Sequence, residues 1–413
     1  MVKLVSLIGL IVLLTLGIAK PFIGHHDWNG VFYSQIARNY LKDGLETGLG
    51  QMTSPGNYYT HYPPLFTWLL ALDFKFLGVS DVSARLLPVM LTIFSFILLV
   101  KITDSLVPLL LALTPMIRYF SQMPSQEALI IFLSLLVVYF YRQKRARALL
   151  WTVAALGWSG WAGYFLIPLL WLHAKFFTHK FKPVLLKAGA ILVGTFGLHL
   201  LHTYLLTGSL TGGGIFDALL LRLNLYPALG RVEPELAGQF KWLNYLVKEF
   251  HTLNIYYTST VLLLAGLGIA KLKRSFEAGL VLMLLAWGVT YPLIFSNVTF
   301  VHEYFNLFFW PGLALAISYL FKHGPHFAKA TWGKLLLLIL AVVVFKERLP
   351  FLNALKSTAA FKPGYELGRQ VNQNSGPGET VNLSADEDFI DVQGIFVEYY
   401  ADRVIIWDNS HND

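Results

Sequence analysis

The sequence predicts an all-α polytopic membrane protein carrying a small α+β outer tail. Three observations lead there: composition, the recurrence of apolar runs, and the side on which the basic residues fall. Of 413 residues, 55% are hydrophobic and only 14% charged, and the mean hydropathy is +0.56. Soluble domains run nearer a quarter charged. There is no cysteine, so disulfides, thiolate metal sites and cysteine nucleophiles are excluded.

A helix needs about 20 apolar residues to cross the hydrocarbon core. Apolar runs recur near 4–19, 84–100, 105–120, 126–141, 148–161, 162–177, 186–206, 254–270, 277–295, 305–321 and 333–345, which predicts about 11 spans. The first run lies between Lys3 and Lys20, and without a clear small-x-small cleavage site it reads as an uncleaved span rather than a signal peptide. The Gly/Trp stretch "GWSGWAG" (157–163) predicts a break between two spans.

With the N-terminus in the cytoplasm, the inner segments hold 16 lysines and arginines, including the cluster Arg142, Lys144, Arg145 and Arg147, against only Asp104 and Glu277. That asymmetry is what the positive-inside rule demands. It accounts for the net charge of +8 without nucleic acid as a partner. The topology divides the chain into a membrane domain (1–345), with long outer loops at 20–83 and 207–253, and an extracytoplasmic tail, 346–413. In the tail, "ETVNLSA" and "GIFVEYYADRVIIW" read as strands.

The first outer loop is the informative one. From Asn29, the apolar Val31, Phe32, Ile36, Tyr40 and Leu41 fall on one side of a helical wheel, with Gln35, Arg38, Asn39 and Lys42 largely opposite. This predicts an amphipathic helix at the membrane interface, stopped by Gly44. After a polar turn-rich stretch, Pro63 and Pro64 open a second interfacial helix that ends at Gly78. Two greasy surface helices with Asp27 at their entrance suit a lipid substrate whose head reaches the interface.

Three segments, "HHDWNGVFYSQIARNYLKDGL", "HYPPLFTWLLALDFKFLGVSDVSARLLP" and "HEYFNLFFWPGLALA", together resemble the GT-C class of membrane glycosyltransferases. Within that class they look like the bacterial and archaeal relatives of protein O-mannosyltransferases and of the lipid A aminoarabinose transferase. The resemblance implies inverting transfer of a sugar from a polyprenyl-phosphate donor to an acceptor hydroxyl of a protein, glycolipid or glycan. The reaction would run on the outer face of the cytoplasmic membrane. The resemblance would make the chain a hexosyl- or pentosyltransferase, with mannose only a family default. A transporter or flippase of lipid-linked saccharides, or an inactive lipid-binding relative, are the alternatives; the absence of an internal repeat counts against a transporter.

By resemblance, Asp27 is the catalytic base, and Glu127, in "SQMPSQEALIIF", is a second acid at the same face. Their bland readings are a helix cap and an N-terminal helix charge. Many relatives carry two adjacent acids where this chain has Asp27 followed by Trp28; the other neighbour, His26, is a candidate to orient Asp27. The substrate-binding candidates are His26, beside Asp27, and His61, Tyr62, Arg85, Arg118, His302 and Tyr304, the latter six as donors to a leaving phosphate. Arg85 and Arg118 also read as helix anchors. Trp158 and Trp161 are candidates to stack on a sugar.

No metal ligand is assigned, and no cofactor is certain. A divalent metal on His25, His26, Asp27 and Glu127 stays open, although the His-His-Asp run is too tight for all three side chains to converge easily. "TGGGIFD" from Thr211 lacks the strand and Lys-Ser/Thr of a P-loop, and "SADEDFID" lacks EF-hand spacing.

Overall fold

The computed structural model describes residues 2–210, 215–223, 241–323 and 331–408. Among these, four helices are long and apolar enough to cross a membrane: Asp81–Thr103, His179–Thr207, Phe276–Ile294 and Glu303–His323. The chain is a multi-pass membrane protein on the length and composition of these helices. Much of the predicted second outer loop, including the "TGGG" of "TGGGIFD", and the predicted inner residue Lys329 lie outside the described residues.

The other predicted spans are helical but shorter or broken, and each break has a local cause. The run at 105–120 is split at Pro115 into a 3-10 turn, Val107–Leu113, and a helix, Pro115–Phe120, because proline cannot donate inside a helix. Gln126–Arg142 has 17 residues, which reach about 25 Å against a hydrocarbon core of about 30 Å. The break predicted at 157–163 is there: one helix ends at Gly157, and the next begins at Leu166 after a 3-10 turn.

The run at 254–270 is not one helix. Trp242–Tyr257 and Ser259–Ala270 meet at 104°, hinged on Thr258, whose φ is 71°. The Thr258 hydroxyl accepts the Val261 N–H at 3.3 Å, which caps the second half. Gly312 brings the Trp310–His323 helix against Phe276–Ile294 so closely that a Cβ there would lie 2.8 Å from the Leu285 nitrogen. Close backbone approach at small residues is how helices pack in lipid.

In residues 20–83, the predicted first outer loop, the two helices form, Asp27–Asp43 and Leu65–Leu77, ended by Gly44 and Gly78 at positive φ. The polar stretch between them is an antiparallel hairpin, Gln51–Ser54 with Asn57–Tyr59. The polar side of the Asp27–Asp43 helix is covered rather than wet. Arg38 is buried, donates to the Tyr399 carbonyl at 2.8 Å, and pairs with Asp402 at 3.0 Å.

The covering element is the tail. "ETVNLSA" does hold a strand, Thr380–Ser384. "GIFVEYYADRVIIW" is not one strand: its first half belongs to the helix Glu387–Ala401, and only Val404–Asp408 is extended. The buried Gln393, Phe396, Val397 and Ala401 recur at helical spacing. The two strands pair in parallel, Thr380 opposite Val404, and a parallel pair needs such a crossover.

Candidate active site

Asp27 is the first residue of its helix, where the positive end of the helix dipole favours a carboxylate. Its Oδ2 accepts the Gly24 N–H at 2.7 Å, and its Oδ1 lies 3.4 Å from the Arg85 Nη2. Arg85 in turn donates to the Gln122 carbonyl at 3.3 Å and lies over the Phe22 ring at 4.1 Å from its centroid. Asp27 is thus neither a helix N-cap, a position His26 takes, nor paired with His26. Arg85 is an ion partner buried in the protein rather than a helix anchor at the interface.

The Asp27 carboxyl opens on a cavity of about 530 Å³. Lys20, His25, Arg85, Arg118 and Lys356 also line it, with Tyr119, Gln122 and Thr358. Four cationic side chains, Lys20, Arg85, Arg118 and Lys356, therefore share the cavity with one carboxylate. Partial burial and the neighbouring charges of Arg118, Lys20 and Arg85 push the Lys356 ammonium down to about 8. Arg118 is also buried, with its guanidinium 4.5 Å from the Phe345 ring centroid, rather than an interfacial anchor.

The tail closes the cavity. The His25 N–H donates to the Thr358 hydroxyl at 3.1 Å, and the Phe361 N–H to the Ile23 carbonyl at 3.1 Å. The Tyr119 hydroxyl donates to the His25 carbonyl at 2.8 Å.

Behind Asp27 the two histidines turn to another acid. His25 Nε2 bonds Glu303 Oε1, and His26 Nε2 lies 3.0 Å from Glu303 Oε2. The Tyr256 hydroxyl donates to Glu303 Oε1 at 2.7 Å. Adjacent side chains converge here because His26 has φ 59°, a left-handed conformation uncommon for a residue with a Cβ. The ring centroids of His25 and His26 lie 4.0 Å apart. Of the four ligands considered from sequence, two histidines come together, but around Glu303, while Asp27 faces Arg85.

Glu127 is buried on the first turn of its helix, with Gln126 Nε2 3.3 Å from its Oε1 and no partner for Oε2 among the described residues. It does not line the Asp27 cavity, nor do His61, Tyr62, His302 or Tyr304. Tyr62 bonds Tyr291 hydroxyl to hydroxyl at 3.1 Å, and Trp161 donates to the His61 carbonyl at 2.6 Å while stacking near Tyr62. Trp158 lies among Trp68, His199 and His202. The rings of His302 and Tyr304 lie 5.6 and 5.0 Å from that of His26, so the late motif reaches the histidine pair rather than the cavity.

Among solved structures the chain is similar to ArnT from Cupriavidus metallidurans bound to undecaprenyl phosphate. The TM-score is 0.65 at 12% identity, covering 99% of this chain and 86% of that one. The apo state of the same protein gives 0.61 at 12% identity, over 98% and 85%. The fold is GT-C-like. At this identity the likeness speaks for the fold alone. No protein-family model matches the chain, and no curated protein does.

Sequence reasoning missed Glu303, although it lies between His302 and Tyr304 in a motif already singled out. It also missed Lys20, Tyr119, Gln122, Tyr256 and Lys356 around a site that this GT-C-like fold assembles from both ends of the chain. Lys356 had no local signal, since only the fold of the tail carries it to the cavity.

Proposed function

We propose that this chain is a glycosyltransferase. In this reading it moves a sugar from a polyprenyl-phosphate donor to an acceptor hydroxyl, with inversion, on the outer face of the cytoplasmic membrane. The observation that carries the reading is a buried carboxylate sharing one cavity with four cationic side chains. That combination suits a reaction in which a hydroxyl loses a proton while a phosphate gains charge. The similarity to a fold seen with undecaprenyl phosphate bound adds support for the donor class. The basic inner loops support a cytoplasmic N-terminus and an outer tail.

In the proposed step the acceptor oxygen attacks the anomeric carbon from the face opposite the phosphate. Its proton passes to the Asp27 carboxylate, and the bond to the phosphate oxygen breaks with its electron pair leaving on that oxygen. General-base assistance of this kind contributes about 10²–10⁴-fold. Lys20, Arg118 and Lys356 hold the phosphate, and their preorganised charge is most effective where water is excluded. Arg85 positions Asp27 and faces the same charge. Glu127, His26, His61, Tyr62, His302 and Tyr304, which do not line this cavity, are proposed to support the fold around it and take no chemical step.

Reconstitution with radiolabelled polyprenyl-phosphate sugars and mixed acceptors (protein, glycolipid and glycan) tests this. Asp27→Asn is expected to lower transfer about 10²–10⁴-fold while still binding the donor. Equal release of prenyl phosphate by wild type and variant removes Asp27 from the base role.

A further inference from the structure

We propose that His25, His26 and Glu303 form a binding site for a divalent transition metal of the zinc class. The site would clamp the loop that carries Asp27 to the start of the Glu303–His323 helix. It stands on its own geometry and does not rest on the transfer reaction.

The donor set is two neutral-capable imidazoles and one carboxylate. That is a combination zinc accepts with a fourth position left for water or another oxygen. One ligand atom from each residue lies within 4.8 Å of the others. Zinc about 2.1 Å from each ligand would hold tetrahedral ligand atoms roughly 3.4 Å apart, so sub-ångström to ångström side-chain shifts bring the three into register. Cysteine is absent from the chain, so no thiolate site competes for the metal.

Three further features favour a built site over a chance cluster. His26 adopts a left-handed backbone, uncommon for a residue with a Cβ, and this turns its ring beside that of His25. The Tyr256 hydroxyl fixes one Glu303 oxygen at 2.7 Å, the kind of outer contact that orients a metal-bound carboxylate. The side chains are also partly accessible, at 36% for His25, 14% for His26 and 17% for Glu303, which leaves an entry path. His25 lines the Asp27 cavity, so the metal would stand behind its wall. Its role would be positioning, since Asp27 follows His26 directly in the chain.

The test uses the full-length protein purified in detergent, stripped with chelator and titrated with Zn²⁺ and, separately, Co²⁺. Wild type is expected to bind about one Zn²⁺ per chain by elemental analysis. With Co²⁺ it should develop the visible absorption of a four-coordinate nitrogen/oxygen site, a readout that needs no variant. Glu303→Gln and His26→Ala are expected to weaken binding at least 100-fold, and Tyr256→Phe by 10–100-fold as an outer-contact loss. The surface variant His251→Ala should bind as wild type. Wild type that takes up no stoichiometric metal overturns the proposal. So does a Glu303→Gln protein that is monodisperse and still binds Zn²⁺ as tightly as wild type; the cluster is then a hydrogen-bonded tie and nothing more.

Discussion

Lys356 shows how one side chain records the charge of a whole cavity. Burial and three cationic neighbours bring its ammonium to about 8. Between that value and its higher unfolded one the unfolded chain binds more protons, so this group's contribution to stability rises with pH across that window. Anion binding has the opposite sign. A phosphate favours the protonated amine, so donor affinity should be highest below about pH 8 and fall above it. The phosphate of the donor is a diester with one strongly acidic ionisation, so its own charge is constant over that range. Affinity measured from pH 7 to 9.5 is expected to drop about tenfold if binding raises the amine by about one unit. Lys356→Met should bind more weakly at pH 7 and lose most of the drop; a variant with an unchanged profile would assign the titration elsewhere. At the same scale, Asp27 was readable because its motif is local, whereas its partner Arg85 lies 58 residues away.

At the scale of elements, glycine separates helix contact from helix surface. A Cβ at Gly312 would lie 2.8 Å from the Leu285 backbone nitrogen, so the two helices would have to part. At Gly194 and Gly197, in the Lys182–Thr207 helix, an added Cβ would meet nothing within 4 Å. Gly312→Ala is therefore expected to destabilise by about 1–3 kcal/mol, an overpacking cost. Gly197→Ala should stabilise by about 0.5–1 kcal/mol through helix propensity. Denaturant unfolding in one detergent checks both, and equal effects would count against the packing shown. The long single-run helices were legible because hydropathy and helical period are properties of a short window. The tail helix Glu387–Ala401 reads as strand in the sequence because its aromatic and β-branched residues mimic one. What decides is burial at helical spacing against the neighbouring elements.

For the whole molecule, the tail is a wall of the cavity as well as an appendage. Arg38 holds it through the Tyr399 carbonyl and Asp402, Lys42 adds a 2.6 Å contact to Asp402, and the Tyr400 hydroxyl bridges the Phe22 N–H and Asp81. Arg38→Ala removes the buried member of this set. It should free the tail, raise protease cutting near residues 358–361, and weaken donor binding as Lys356 and Thr358 withdraw. Limited proteolysis and donor affinity should change together; loosened cutting with intact affinity would separate the tail from the site.

The sequence by itself determined the membrane class, the order of the long apolar helices, and an acid placed between the first apolar run and the amphipathic helix that follows it. Each follows from composition or from spacing within one or two helical turns. Tertiary structure alone decided that Glu303 meets two histidines 277 and 278 residues earlier, and that a lysine from the tail completes the cationic cavity. Such contacts depend on how hinges and helix pairs bring distant segments together, and no local periodicity encodes the distance between them.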